Sequence, residues 1–247
     1  MIEYLILEQK ELELIRESSQ IVCDNDLWEH CLKEICLLRG KVYREEGLYD
    51  ESVLTKDGEL REDCDRYSIH ISALDNGKVV GAVRITPLRQ GEELKNIEIN
   101  YFFKKFNLPR HAHTFNYLLN QLFINNKKVA EVSRLVVDEE YRRFRNVHSQ
   151  VGIVLITMCY SWGLENQISD AFIVQGNKYC TSDIYERLGF RIVRDIETKI
   201  PLEPFFDGSD ICQLMHLNLN NPTALFIKFV DKFKPIYQSA KIVKHTD

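Results

Sequence analysis

The sequence predicts a mixed α/β (α+β) fold, in which one sheet carries helices on both of its faces. Three observations support this prediction. Apolar residues recur at helical spacing over residues 26–46, Asp75-Asn76-Gly77 separates two β-rich runs, and strands and helices alternate in the second half of the chain. The 247 residues contain no internal repeat and no low-complexity linker, so we expect a single domain over residues 1–247.

The first half of the chain is predicted to contain two helices and three strands. In order, a weakly alternating strand, a short helix, the long amphipathic helix and the two strands of a hairpin cover residues 2–8, 11–20, 26–46, 67–74 and 78–86. Asp24, Asn25 or Asp26 is expected to cap the long helix, and Gly47 follows its end. Pro87 is expected to close the hairpin, and residues 90–109 show no assignable pattern.

The second half is predicted to alternate helices and strands. Helices are expected over 114–123, from His148 or Ser149 onward, over 181–188 and from Asn221 to about Tyr237, and strands over 129–137, 170–174, 190–195 and 211–217. The last helix belongs to a C-terminal helical extension over about 221–247. We expect the tail over residues 239–247 to be frayed.

Composition excludes several classes of protein. The net charge of −5 gives no overall basic field, so nucleic-acid binding is not favoured. Seven cysteines, an odd number without a Cys-x-x-Cys pair, fit a reducing cytoplasm better than a disulfide scaffold. The N-terminus does not have the pattern of a signal peptide, and no apolar run approaches the length of a transmembrane helix. His111-x-His113 has no third ligand nearby in sequence, so we expect no metal.

The predicted strand over residues 129–137 contains polar residues where a buried strand normally has none. Glu131 and Ser133 share one face with Leu135 and Val137, while Arg134 points to the other face unless a bulge re-aims it. A bulge would also free a backbone N–H for a developing oxyanion. A buried charge is costly without a partner, so this strand needs an explanation.

Charged residues elsewhere supply two explanations. Three arginines fall in or beside predicted buried positions and need partners: Arg39, Arg84 and Arg134. The acidic run Glu62-Asp63-x-Asp65 can provide them, which gives a purely structural network. Alternatively, the set shapes a pocket for a polar acceptor, and Glu131 serves as a general base whose pKa burial raises toward neutrality. The residues alone leave both open.

Four segments resemble the acyl-homoserine-lactone synthases and the related N-acyl amino acid synthases, two branches of the GNAT acyltransferase fold. They are Leu38-Arg39-x-x-Val42-Tyr43, Glu62-Asp63-x-Asp65, Val79-Val80-Gly81-x-x-Arg84 and Glu131-x-Ser133-Arg134-Leu135-x-Val137. Together they span about residues 35–140, in the order found in the family. The resemblance implies a GNAT-like fold with a mixed, mostly antiparallel central sheet flanked by helices on both faces.

The resemblance also implies an activity. Such enzymes are cytoplasmic, bind no permanent cofactor, and move a fatty-acyl group from a phosphopantetheine thioester to an amine. The expected donor is acyl carrier protein and the expected acceptor an amino acid or a similar small amine. The alternatives are an autoinducer synthase that uses S-adenosylmethionine, a coenzyme A-dependent GNAT acetyltransferase, and a non-catalytic ligand-binding protein of this fold. The oligomeric state stays open.

The resemblance assigns roles residue by residue. Glu131 is the base, through water, and Ser133 faces the chemistry beside it. The acceptor side is built by Arg39, Tyr43, Glu62, Asp65, Arg84 and Arg134. The donor side involves Leu135 and Val137, with a basic surface for the carrier protein at Arg142, Arg143 and Arg145. In Asn177-x-x-x-Thr181-x-x-x-Tyr185, which resembles the closing motif of GNAT enzymes, Tyr185 either protonates the leaving thiolate or lies in the core.

Two departures from the family pattern bear on the substrates. The segment Arg143–His148 contains no glycine, where coenzyme A-dependent GNAT proteins have a glycine-rich pyrophosphate loop, and this favours acyl carrier protein. The lactone-synthase branch usually has a tryptophan soon after the long helix and an aromatic residue after the Ser-Arg pair. This chain has Leu48-Tyr49 and Leu135 there, which favours an amino acid or another amine over S-adenosylmethionine.

Overall fold

The computed structural model describes residues 2–9, 21–47, 51–90, 97–105, 107–142, 150–176, 181–193 and 212–246. The chain forms two compact units. The first contains Met1–Ile85, Arg134–Asn166 and Phe229–Asp247, and the second contains Thr86–Ser133 and Gln167–Lys228. A single domain over the whole chain stays a prediction. The predicted helix over residues 11–20 lies outside the described residues.

The strands of the first unit are β1 (Ile2–Gln9), β2 (Ile21–Cys23), β3 (Ile69–Asp75), β4 (Lys78–Leu88, of which the last three residues belong to the second unit) and β9 (Lys241–His245). Their order is β2-β9-β1-β3-β4, with β3 antiparallel to both β1 and β4 and with β9 parallel to both β1 and β2. The predicted hairpin is confirmed, and Asn76 and Gly77 both have positive φ, at 50° and 81°, as its two-residue turn requires. Pro87 does not close the hairpin, because β4 continues to Leu88.

Helices cover both faces of this sheet. The long helix α1 (Asn25–Glu45) is capped by Asp24, whose side chain accepts from the Leu27 N–H at 2.9 Å. Leu5 and Leu7 of β1 pack with the apolar face of α1. Glu8 points the opposite way and accepts a 2.7 Å hydrogen bond from Trp162 of α5 (Val151–Glu165). Since alternate residues of β1 meet different helices, the two-sided arrangement predicted for the sheet is confirmed here.

The C-terminal residues form part of the sheet. After α7 (Ala224–Ser239), β9 lies between β1 and β2 and pairs with both. Ile242 and Val243 are fully buried within it. The predicted frayed tail is therefore wrong, because these β-branched residues gain two strand partners and a place in the core.

The second unit holds a smaller mixed sheet and its own core. The strands are β5 (Lys128–Val137, of which the last four residues belong to the first unit), β6 (Ile168–Gly176), β7 (Arg191–Ile192) and β8 (Cys212–Asn218), in the order β5-β6-β8-β7. Only β5 and β6 are parallel among these pairs. The helices are α2 (Glu98–Lys105), α3 (Pro109–Ile124) and α6 (Thr181–Leu188), while the short α4 (Glu139–Arg142) follows β5 in the first unit. The predicted mixed, mostly antiparallel fold class is confirmed.

The core of the second unit is aromatic. Phe115 of α3 lies edge-on to Phe172 of β6, with ring centroids 5.3 Å apart, and Phe103 of α2 contacts Phe115 at 6.1 Å. This cluster fixes α2 and α3 on the face of the sheet that also carries Glu131 and Phe172, which are register partners. In neither unit do the described residues include a helix long and apolar enough to cross a membrane.

Candidate active site

A glycine in the middle of α1 brings the acidic loop to the helix. A Cβ at Gly40 would lie 2.0 Å from the carbonyl oxygen of Gly58, so only glycine admits this approach. In consequence the Leu60 N–H donates to the Cys36 carbonyl at 3.0 Å, and the Leu60 carbonyl accepts from Arg39 Nη1 at 3.2 Å. Gly40 was not predicted to have a role. A glycine inside an amphipathic helix lowers helix stability by about 1 kcal/mol relative to alanine, so its presence there is a signal of close packing.

The loop then turns into a short 3₁₀ helix, Asp63–Tyr67, that sets two carboxylates side by side. The Glu62 N–H donates to Asp65 Oδ2 at 2.7 Å, and the Asp65 N–H donates to the Glu62 carbonyl at 3.0 Å. Asp65 is fully buried, while the Glu62 side chain is 25% exposed. This local turn, and not chance proximity, places the acidic groups where the arginines converge.

Three arginines from three different elements bind these two carboxylates. Arg39 Nη1 lies 3.0 and 2.9 Å from the two carboxylate oxygens of Asp65. Arg84 Nη1 bridges Glu62 Oε2 at 2.7 Å and Asp65 Oδ1 at 3.1 Å. Arg134 forms a two-pronged contact with Glu62, Nε to Oε2 at 2.8 Å and Nη2 to Oε1 at 2.5 Å. We call these five residues the arginine–carboxylate cluster; the predicted partnership between them is confirmed.

The backbone of β5 leaves the extended conformation at Arg134, where φ is +56°. A non-glycine residue in this left-handed region costs on the order of 1–3 kcal/mol unless its surroundings hold it there. Here the Arg134 guanidinium donates to the Glu62 carboxylate and lies over the Tyr43 ring, 5.5 Å from its centroid. These contacts hold the residue in that conformation. Strand alternation therefore breaks at Arg134, as the bulge alternative requires. The oxyanion contact that such a bulge would serve stays a prediction.

The cluster shifts the titration of its members. Burial alone would raise the pKa of Glu62, but the charges of Arg134, Arg84 and Arg39 outweigh it and lower that pKa to about 2. Burial likewise opposes ionisation of Asp65, yet Arg39 and the other cations hold its pKa well below the ordinary value. The two carboxylates are thus charged at neutral pH. Cys64 lies among them, but because they already accept from guanidinium groups, a metal ion would have to displace the arginines.

A buried histidine backs the cluster. His70 is fully buried, and burial lowers its pKa to about 4 despite the nearby Asp65 carboxylate. The ring is therefore neutral at physiological pH, and Nε2–H donates to the Asp65 backbone carbonyl at 2.9 Å. Its contact with the Asp65 carboxylate, 3.9 Å from Nε2, is not an ion pair in this state.

Glu131 of β5, the predicted base, is fully buried, and its carboxylate caps the first turn of α2. Its Oε1 accepts from the Ile99 N–H at 2.8 Å and its Oε2 from the Glu98 N–H at 3.1 Å, at the first turn of α2. A carboxylate at a helix N-terminus satisfies donors that the helix leaves unpaired and interacts favourably with the helix dipole. This anchoring role was not predicted, because the two partners lie 33 and 32 residues away in a stretch without a pattern.

The remaining predicted catalytic residues lie in the second unit. Ser133, two residues beyond Glu131, is buried at 7% exposure. Tyr185 of α6 is half-buried and lies edge-on to Phe190, with ring centroids 5.3 Å apart. Its role in protonating a thiolate stays a prediction.

The predicted donor residues follow Arg134 along the chain. Leu135 and Val137 are half-buried in β5. Arg142 Nε donates to the Val137 carbonyl at 2.5 Å, and its Nη1 pairs with Glu46. Arg142 is therefore engaged within the fold, which weakens its claim to be a free docking cation. Arg143 and Arg145 lie outside the described residues.

Residues 38–150 match the family model described as an acetyltransferase (GNAT) domain. The chain contains a GNAT acyltransferase domain. The matched range includes the whole arginine–carboxylate cluster and Glu131, and it ends before Tyr185.

Solved structures show the same fold for the GNAT domain and the flanking chain. The AHL synthase LasI is 15% identical, with a TM-score of 0.57 over 92% of this chain and 94% of that one. The CoA-dependent acyl-homoserine lactone synthase BjaI, with SAM and isopentyl-CoA, is 14% identical, with a TM-score of 0.58 over 100% and 95%. FeeM, an N-acyl amino acid synthase from uncultured soil microbes, is 17% identical, with a TM-score of 0.50 over 78% and 86%. No match was found among curated proteins.

Proposed function

We propose that this GNAT acyltransferase moves a fatty-acyl group from acyl carrier protein to the amine of an amino acid or a similar small acceptor. The observation that carries the proposal is the strand β5. It holds a fully buried carboxylate at Glu131 and, three residues on, a left-handed arginine locked onto Glu62. The left-handed backbone at Arg134 costs on the order of 1–3 kcal/mol, and costly local features of this kind concentrate at functional sites.

The reaction would proceed by direct transfer. Glu131 takes a proton from the acceptor amine through a water molecule, and the nitrogen attacks the thioester carbonyl carbon. The resulting oxyanion accepts a hydrogen bond from a backbone N–H near Leu135 or Val136. The C–S bond then breaks, the thiolate takes a proton from Tyr185, and an amide and a free carrier thiol remain. Positioning and the oxyanion contact supply most of the acceleration.

The capping role of Glu131 is compatible with this mechanism. The two backbone donors of α2 approach different oxygens of the Glu131 carboxylate, Ile99 N–H at Oε1 and Glu98 N–H at Oε2. Those same contacts fix the orientation of the carboxylate, which a base needs before it can act on a bound amine. The same fixed carboxylate of Glu131 would then both cap α2 and act as the base.

The cluster supports a small polar acceptor. Arg39, Arg84 and Arg134 surround Glu62 and Asp65 and hold a charged, largely dry environment next to Tyr43. Acyl carrier protein as donor is supported by the absence of glycine from Arg143–His148, since a coenzyme A pyrophosphate is normally held by a glycine-rich turn.

Product analysis tests the proposal. The purified protein is incubated with acyl carrier protein loaded with acyl chains of several lengths and with a mixture of amino acids, and the products are read by mass spectrometry. We expect an N-acyl amino acid. Formation of a lactone from S-adenosylmethionine, or turnover with acetyl-coenzyme A alone, would replace the proposed substrates, and no acylated product from any pair would refute the activity.

The base is tested by Glu131→Gln, with Glu139→Gln on an exposed carboxylate as the matched control. We expect kcat to fall on the order of 10²-fold for Glu131→Gln and to stay near wild type for the control. Because glutamine also disturbs the cap of α2, the pH profile is the decisive readout: the acidic limb of kcat/KM should disappear in Glu131→Gln. A limb that persists at the same pH would assign the base to another group.

A further inference from the structure

One long stretch of the chain contains no acidic residue. Between Glu98 and Glu131 lie five lysines and arginines and two histidines but neither aspartate nor glutamate. At the average of 37 acidic residues in 247, a stretch of this length would hold about five. The protein as a whole carries −5, so this stretch is a local reversal of charge and not a general property of the surface.

The stretch folds into α2, α3 and the start of β5, and α3 presents much of it to solvent. Phe115 and Leu119 bury the inner side of α3. Arg110 is exposed in its first turn and Lys127 is exposed just past its end. The first turn carries no acidic residue and the cap residue Leu108 supplies no side-chain acceptor, so Arg110 adds its charge to the positive end of the helix dipole.

Two large apolar side chains are exposed on the outer side of α3, and the second belongs to its last residue. Tyr117 is 62% exposed and Ile124 is 67% exposed. Arg110, Tyr117 and Ile124 follow one another at intervals of seven residues, which places them on one side of the helix at steps of roughly 10 Å. Protein interfaces likewise combine exposed aromatic and aliphatic side chains with a polar, charged rim.

We propose that this α3 face, defined by Arg110, Tyr117, Ile124 and Lys127, docks an acidic protein. The inference rests on the proposed function, under which that partner is the acyl carrier protein. Its charge complements the face, while the alternative docking residue Arg142 is held by Glu46 within the fold. A lipid surface fits less well, because Asn120 and Gln121 interrupt the apolar positions that a membrane-bound helix needs.

An acidic group near Lys127 is already bound within the fold. Asp170 lies near enough to Lys127 for their charges to interact. Its carboxylate is buried and already accepts from His216 Nε2 at 2.7 Å and from the Ser169 hydroxyl at 2.7 Å. Lys127 thus keeps an exposed charge that a partner's carboxylate can meet.

The test compares two double charge reversals, Arg110→Glu with Lys127→Glu on the α3 face and Lys228→Glu with Lys234→Glu on the exposed side of α7. KM is measured for acyl carrier protein and for acyl-pantetheine, which carries the same thioester without the protein. We expect the α3 reversal to raise the KM for acyl carrier protein about tenfold, and by less at high salt. The KM for acyl-pantetheine should stay unchanged, so the ratio of the two KM values should change by the same factor. Ile124→Ser should act in the same direction.

The possible results distinguish failure of the docking face from failure of the proposed function. Equal KM values for the two double variants, with wild-type protein using the carrier protein, would overturn the docking face and leave the proposed function intact. Wild-type protein that ignores acyl carrier protein but accepts acyl-coenzyme A would overturn both. Cosedimentation with phosphatidylglycerol vesicles that the α3 reversal abolishes, without a change in KM, would assign the face to a lipid surface instead.

Discussion

Replacing Glu62 by glutamine tests whether the arginine–carboxylate cluster stabilises the fold through charge. Glutamine has nearly the volume of glutamate, so the change removes charge without opening a cavity. It leaves Arg84 and Arg134 facing a neutral amide where each now faces a carboxylate oxygen at 2.7 to 2.8 Å. Breaking one partner of a buried ion pair is strongly destabilising, since the other charge stays buried without compensation.

The magnitude follows from the titration of Glu62. Its pKa falls from 4.5 to about 2 in the folded protein, and each pKa unit corresponds to about 1.4 kcal/mol. The charged carboxylate therefore contributes about 3 kcal/mol to the free energy of unfolding at neutral pH. Because the folded pKa is the lower one, this contribution is fully present above pH 4.5 and is lost as the pH falls toward 2.

Urea denaturation at pH 7 measures the effect, and Asp63→Asn, on the exposed carboxylate next in sequence, is the control. We expect Glu62→Gln to lower the free energy of unfolding by about 3 kcal/mol and Asp63→Asn to change it by less than about 0.5 kcal/mol. The variant should also lose the part of the acid dependence between pH 4.5 and 2 that Glu62 provides. Equal costs for the two substitutions would refute the reasoning.

Two further predictions concern packing and pH. Gly40→Ala should lower the free energy of unfolding by about 1–3 kcal/mol or more, because its Cβ would meet the Gly58 carbonyl. The Cβ of Gly152→Ala would meet nothing closer than 3.7 Å, so this control should be neutral or stabilising by up to about 1 kcal/mol. Thermal unfolding of both variants measures the effect, and a change of stability with the same sign in both would contradict the prediction. Between pH 6.5 and 4 the wild-type protein should lose up to about 1.4 kcal/mol of stability per pH unit, because His70 binds a proton in the unfolded chain before it does in the folded one. Denaturation curves of His70→Gln should lack this slope, and an unchanged slope would point to other groups.

The elements that were predicted correctly are those that the local sequence determines. The periodicity of α1 and the Asn76–Gly77 turn each act over a few residues, so both could be predicted without knowledge of the fold. Helix α2 was missed because its first turn is stabilised by Glu131, more than thirty residues away. Strand β9 was missed for a similar reason: five residues form a strand only because β1 and β2 lie on either side.

The candidate site could be predicted in part, by the rule that buried charges need partners. That rule links Arg39, Arg84 and Arg134 to Glu62 and Asp65, and the structure confirms the link. No sequence pattern gives the left-handed conformation of Arg134, because it depends on the ion pair with Glu62 from another segment of the chain. Nor does a pattern give the second use of Glu131 as a cap, which changes how its variants must be interpreted.

The position of β9 has a consequence for how the protein is made. The first unit is assembled from three separate segments, and Leu5 of β1 pairs with Lys241 of β9 across almost the whole sequence. Pairings between residues this far apart form slowly, because a large loop must close first. Until residue 245 has been synthesised, the edge of β1 that pairs with β9 has no strand partner and can pair with other chains. The nascent protein should therefore depend on chaperones until that strand arrives.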